Sequence, residues 1–483
     1  MKISQFTLAL ALFACTIGNV VAEGNTLACL NPDNVDYNKD YFPHKVQATH
    51  SELWDMKYFK TYKIFTNKKE NTSFLLYQCG TEIPASEQGK HDGYHTVPLQ
   101  DGIALSSTSD IPHVEQLGIR RQVKGWFSYH SYINSPCMSK LAEEPNSFIE
   151  VNADNQDQFF IDHPNVLVVK DGPTDSIPAA NQIHLSTYKE EESKDIYEWH
   201  KVYGALFNLE KLANKQFDDS AQRFDCAADN ATFLATKRRR LAAKPTIAWA
   251  YYSDPSSWGG SGEPHWDVGR CDEKNLYYCE FANICDADIL HSNAGSIANP
   301  WAAGDFHMTT EEFVAFSKDA DHWIYTGNNW NTVHDKFKTE LDTFKSVQNN
   351  EVYDTSKSGS GTWFEQRIAE YDVVLQDFCE VVGNNDDSKI PHQRMYFRKM
   401  LPTPEPVGDL GSCPSAYIDL PWETRASECI YLKDDQKSED KVSDEDHDSH
   451  EDHNHSKESS SVRAGLAATT ISAVGLTAAL INL

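Results

Sequence analysis

The short patterns that announce common enzyme classes are missing from this chain of 483 residues. It contains no G-x-S-x-G, no H-E-x-x-H, no Walker-A phosphate loop and no G-x-G-x-x-G. Their absence removes the motif-defined hydrolases, zincins and nucleotide binders, and leaves open only triads assembled by geometry. "GGSGEP" (259–264) is glycine-rich, but its spacing fits none of these loops, and it is expected to be a flexible connection. C-x-x-C is also absent, so zinc ribbons and thioredoxin-type sites have no support. Basic charge is scarce: 43 Lys and Arg stand against 72 Asp and Glu, for a net charge of −29. That balance opposes binding to nucleic acid or anionic lipid.

Both ends carry processing signals. Lys2, the apolar run from Phe6 to Ile17 and the small residues around Ala22 read as a secretory signal peptide over 1–22. At the other end, Ser459, Ser460 and Ser461 precede "AGLAATTISAVGLTAALINL", which runs uncharged to Leu483. Small residues before a hydrophobic tail fit a GPI-attachment signal, with Ser460 as the attachment site and 462–483 removed. A terminal transmembrane helix is the rival, though it would leave no cytoplasmic residues and no basic stop. Either expectation tethers the protein through the membrane at the outer face of the cell. Cys15 lies in the signal, which leaves Cys29, Cys79, Cys137, Cys226, Cys271, Cys279, Cys285, Cys379, Cys413 and Cys429. An even number in a secreted chain allows up to five disulfides. Sequons at Asn71, Asn230 and Asn454 suit the same compartment.

Between the signals the chain alternates strand and helix patterns. Strands are expected at 72–79, 102–108, 122–128, 165–172 and 181–186, and again at 246–253 and 322–329. Helices are expected at 110–118, at 309–320 with a Thr309/Glu312 capping box, at 332–347 and at 362–382. This alternation predicts an α/β protein with parallel sheets. Between the two regions, Ile196, Trp199, Tyr203, Leu206, Ala213 and Phe217 recur at helical steps, with Glu210 filling the one gap. They predict a single linking helix over 193–228, with Thr187 and Glu190 as a capping box upstream. It separates a lobe at 23–192 from one at 229–433, where Cys413 and Cys429 staple an extension to the body. Residues 434–461 are acidic, nearly devoid of apolar groups and expected to be a disordered stalk.

Aromatic residues gather in the segments after predicted strands. Trp126, Phe127, Tyr129 and Tyr132 follow one; Tyr251, Tyr252, Trp258 and Trp266 follow another. Trp301, Phe306, Trp330 and Trp363 lie in three more. In α/β sheets ligands sit beyond the carboxyl ends of the strands, where aromatic side chains offer rigid walls.

"IALSSTSDIPHVEQLGIRRQVKGWFSY", "HSNAGS…GDFHMTTEEFVAFSKDADHWIYTGNNW" and "WFEQRIAEYDVVLQDF" resemble, in order and spacing, the two lobes of bacterial periplasmic binding proteins for iron-siderophores and cobalamin. The similarity spans roughly 55–385. The resemblance implies two parallel-sheet α/β lobes joined by one long rigid helix, with ligand in the cleft between them. It implies a binding protein with no catalytic residues and no cofactor, whose partner is a small-molecule metal chelate, a siderophore or cobalamin-like compound. By position, Trp126, Phe127, Tyr129 and Tyr132 would line one side, and Tyr251, Tyr252, Trp258, Phe306, Trp330 and Trp363 the other. Arg120, Arg121 and Arg270 are the basic candidates for an anionic chelate. Departing from the bacterial pattern, the chain carries disulfide-capable cysteines, sequons and a lipid-anchor signal.

Two other readings remain. A receptor for bare zinc or iron would need three or four inward ligands, and His113, His130, His184, His265, His291, His307, His322 and His334 are scattered singly. An extracellular enzyme of another type would use the aromatic cleft for substrate. "DEDHDSHEDHNH" supplies four more histidines, His447, His450, His453 and His455. They lie in the stalk, where imidazole and carboxylate take up metal only weakly without a rigid frame.

Overall fold

A computed structural model describes residues 24–145, 147–238, 243–258, 262–271, 276–290, 297–298, 305–385 and 392–432. The signal segment, the stalk with its four histidines, Ser460, Asn454, His291, Trp301 and the hydrophobic tail lie outside the described residues.

The protein is a two-lobed α/β structure. The first lobe is built on a five-stranded sheet whose pairings are all parallel, made from Ile103–Leu105, Val123–Trp126, Ile149–Glu150, Leu167–Lys170 and Gln182–His184. Its strands are short and rich in Val and Ile because both faces are covered. Ile103, Leu105, Leu167 and Val169 enter one core, while Ala104, Val166 and Val168 meet Phe159 on the other. A four-stranded sheet stands beside it, and there the expected strand at 72–79 runs antiparallel to Tyr62–Asn67, outside the parallel array. The second lobe has a parallel centre of Thr246–Ser253, Asp288–Ile289, His322–Tyr325 and Val352–Asp354. Antiparallel strands His265–Gly269, Asp305–Met308 and Ile297–Ala298 extend it.

The linking helix differs from its expected form. The stripe from Ile196 to Phe217 is divided into Ser193–Glu198, His200–Leu206 and the long helix Glu210–Arg238. Asn208 makes the break, at φ +57, a left-handed conformation that asparagine tolerates. Its side-chain amide donates to the Thr26 carbonyl and to Gln78, and its oxygen accepts from Lys63. The long helix then runs 29 residues, about 43 Å at 1.5 Å per residue. Glu210, the polar gap in the stripe, is fully buried and pairs with the equally buried Lys63 at 2.5 Å. Glu190 does not form the expected cap; it accepts hydrogen bonds from Ser51 and Trp199. The Thr309/Glu312 capping box is present, with both reciprocal bonds made. The helices expected as single units at 332–347 and 362–382 are each interrupted.

Five disulfides join the ten cysteines: Cys29–Cys79, Cys137–Cys413, Cys226–Cys429, Cys271–Cys279 and Cys285–Cys379. Two of them turn residues 408–432 into a strap that touches both lobes. Cys413 is bonded to Cys137 of the first lobe. Arg120 donates to the carbonyls of Tyr417, Ile418 and Leu420. Gly118, at φ +68, lets Pro421 approach so closely that a Cβ would meet its nitrogen at 2.9 Å. The strap then crosses to the second lobe, where Arg425 pairs with the buried Glu370. It finishes on the long helix through Cys429–Cys226 and the bond from the Leu432 amide to Asn230.

Candidate functional site

Loops after the parallel strands of both lobes converge at one junction. From the first lobe come 106–110 and 127–135. From the second comes the segment after Val352–Asp354, which leads into the short helix Thr362–Gln366. Ser109 donates to the Phe364 carbonyl at 3.4 Å. The Glu365 carboxylate accepts the backbone amides of Asn134 and Ser135 at 2.6 and 2.7 Å. Gly361 lies against Asn134, and a Cβ there would fall 2.3 Å from its side-chain nitrogen. Any larger residue there would have to push the Asn134 side chain aside.

Burial governs the carboxyl groups of this junction. Glu365 is fully enclosed, and the loss of water, reinforced by the nearby Glu115 charge, pushes it up to about 8 against the pull of its two amide donors. Asp110, capping the turn after the first strand, is pushed up to about 7 by burial and then by the charge of Asp171. The Tyr203 hydroxyl donates to it at 2.8 Å. Asp171 is itself raised to about 6 by burial.

The aromatic residues expected at the cleft divide into two groups. Tyr129 and Tyr132 are exposed, at 61% and 42%, and meet edge to face at 5.6 Å. Trp126, Trp330 and Trp363 instead lie in the cores, each no more than 2% exposed. The large apolar area of an indole is worth most when enclosed. Phe127 is half-buried against Phe159 and Phe160. Tyr252 is buried, and its hydroxyl accepts from Lys336 at 2.8 Å. Tyr251 is half-buried on the opposite face of the same strand. Trp258 ends the turn Pro255–Trp258, and its side chain lies outside the described residues.

None of the three expected arginines is placed as a ligand-facing cation. Arg120 is buried and engaged by Glu115 and three strap carbonyls. Arg121 pairs with Glu144 and Asp419 on the surface. Arg270 is buried, stacked on the half-buried Phe306 at 3.6 Å. Asn71 is exposed in a turn and free to carry a glycan. Asn230 corrects the sequon reading: its buried amide donates to the Ile430 carbonyl, and its oxygen accepts the Leu432 amide. A glycan on that nitrogen would displace the end of the strap.

Two residues at the junction escaped the sequence reading. Phe364 is 41% exposed beside the buried Trp363, because neighbours on a helix point about 100° apart. Arg367 lies over the Tyr277 ring at 3.8 Å, and its Nε has no hydrogen-bond partner among the described residues. The dipeptide "WF" and the cation three residues on were the available signals.

A second cluster involves histidines that look solitary in sequence. Two of the aromatic-bearing segments expected after predicted strands, those holding Trp266 and Phe306, instead form the antiparallel strands His265–Gly269 and Asp305–Met308. Their pairing brings His265, Asp267 and His307 together, with ligand-capable atoms all within 4.8 Å of one another.

No protein-family model matches the chain, and no curated protein matches it. Among solved structures it is similar to a possible iron-binding (periplasmic solute-binding) protein from Staphylococcus epidermidis ATCC 12228, at 16% identity and a TM-score of 0.39, over 58% of this chain and 97% of that one. A periplasmic binding protein from Veillonella parvula DSM 2008 is similar at 11% identity and a TM-score of 0.43, over 69% of this chain and 99% of the other. A periplasmic heme binding protein from Pseudomonas aeruginosa is similar at 11% identity and a TM-score of 0.42, over 63% and 98% of the respective chains.

Proposed function

We propose that this is a non-catalytic solute-binding protein that captures a metal chelate, foremost a ferric siderophore, at the lobe junction, and that a lipid anchor holds it at the outer face of the cell for iron uptake. The observation that carries this reading is the convergence of strand-end loops from both lobes on one junction where Tyr129, Tyr132 and Phe364 stand exposed. Open α/β sheets bind ligands at such strand ends. Exposed aromatic rings supply apolar walls for a bulky organic complex, at low entropic cost. Arg367, on the same short segment as Phe364, supplies a guanidinium for a chelate of negative charge.

Fluorescence titration of the full chain with a ferric hydroxamate siderophore, cobalamin, zinc(II) and ferric ion tests the proposal. Sub-micromolar quenching by the siderophore is expected. The triple variant Tyr129→Ala, Tyr132→Ala, Phe364→Ala should lose at least about tenfold in affinity, or ~1.4 kcal/mol. Quenching by neither chelate, or an unchanged affinity in the triple variant, would overturn the assignment.

A further inference from the structure

The antiparallel extension of the second lobe has one apolar and one polar face. Trp266, Val268 and Met308 pack into the core with Tyr252 and Trp323. The period of two along a strand therefore turns His265 and Asp267 together to the other side. Register adds the third residue: His307 is the direct cross-strand partner of Asp267. Paired residues in an antiparallel ladder hold their Cβ atoms about 5 Å apart. The backbone pairing thus brings two imidazoles and a carboxylate to one place.

Side-chain geometry fits a shared cation. His265 Nε2 is 3.5 Å from one Asp267 oxygen, and His307 Nε2 is 3.1 Å from the other. Donor atoms about 2.0–2.1 Å from a tetrahedral ion stand roughly 3.3 Å apart, between those two values. The imidazole rings stack at 3.9 Å between centroids and 21° between planes, with both Nε2 atoms toward the carboxylate, so an ion shared by both draws the rings apart. His265 Nδ1 is 2.8 Å from the Glu263 carbonyl. As a donor there, Nδ1 carries the ring proton and leaves the Nε2 lone pair facing Asp267, and a hydrogen bond of this kind orients metal-bound histidines. The Asp267 side chain is 4% exposed, whereas those of His265 and His307 are 19% and 22% exposed, so the cluster has a rigid floor and a path from solvent.

We propose that His265, Asp267 and His307 form a binding site for a single zinc-class divalent cation on the polar face of the second lobe. Two imidazoles and one carboxylate are a donor set for borderline ions, and three protein ligands leave a coordination position for water or for a donor atom of another molecule. The site lies on one sheet and needs nothing from the lobe junction. It is therefore independent of the chelate reading, and either can fail without the other.

The test uses the full chain and zinc(II) itself. Calorimetry is run on the native chain, on a variant with His447, His450, His453 and His455 changed to Asn, and on that variant with His307→Gln or Asp267→Asn. One equivalent of zinc(II) should bind to the stalk variant, and either added substitution should weaken it about 100-fold or more. A second measurement needs no substitution. Diethylpyrocarbonate labelling of the native chain, read peptide by peptide, should show His265 and His307 protected by zinc(II). Loss of all zinc(II) binding in the stalk variant, or labelling of both histidines unchanged at saturating zinc(II), would overturn the site.

Discussion

The two lobes share the alternation of strand and helix and treat the carboxyl ends of their sheets differently. In the five-stranded sheet of the first lobe every strand pairing is parallel, and separate cores seal both faces. In the second, Thr246–Ser253 outruns its parallel neighbours. Its later half pairs instead with an antiparallel strand. The core on one face ends near Trp249, and beyond it Tyr251 shares that face with Asp267, its cross-strand partner. Antiparallel sheets tolerate one solvated face where parallel ones do not. The lesson is that recognition chemistry can occupy loops at a sealed sheet's end, or the sheet itself once it turns antiparallel.

The comparison can be broken most forcefully at the seals. Trp126→Ala in the first lobe and Trp363→Ala in the second should each cost about 3–5 kcal/mol of stability, measured by denaturant unfolding. A small effect at either would mean that the residue lines an opening, as the sequence first implied. Next in size is the strap: Cys413→Ser frees Cys137 and should cost about 2–4 kcal/mol. Calorimetry should then resolve separate melting of the two lobes, where the native chain melts as one.

Titration separates one carboxyl group in each lobe. Asp110 of the first lobe is raised to about 7 by burial and the neighbouring Asp171, so the folded form holds a proton that the unfolded chain releases near 4. Its stabilising contribution is full below that value and is lost as pH rises through about 7. Glu351 of the second lobe behaves oppositely. Burial raises it, but the neighbouring His322 ring at 3.7 Å and hydrogen bonds from Tyr353 and Lys399 outweigh that and hold it at about 2. Its contribution is present above about 4.5 and is lost as pH falls through about 2. Melting temperatures across pH should therefore lose part of their slope between about 4 and 7 in Asp110→Asn and part of their acid-range slope in Glu351→Gln. Matching profiles for the two variants would erase the contrast. The smallest effects belong to the exposed rings: Tyr129→Ala and Phe364→Ala should change stability by no more than about 0.5 kcal/mol.

Much of the architecture was legible because it depends on local pattern. Strand 246–253, the capping box at Thr309 and the α/β class follow from periodicity and end signals. Which aromatic faces solvent did not follow, because adjacent Trp363 and Phe364 have nearly the same chemistry and differ only in helical phase. The histidine cluster was hidden for another reason: it depends on the register between Asp267 and His307, forty residues apart. The linking helix was mistaken at Asn208, where long-range hydrogen bonds to the first lobe override an unbroken apolar stripe.

The strap has a mechanical consequence. The last described residue, Leu432, lies three residues beyond the Cys226–Cys429 bond and is bonded directly to the 29-residue helix through Asn230. A pull on whatever follows therefore loads a covalent bond and a helix side before it reaches any strand ladder. Tension from that end would enter the helix between the lobes first and reach the sheets only through the side chains packed on it.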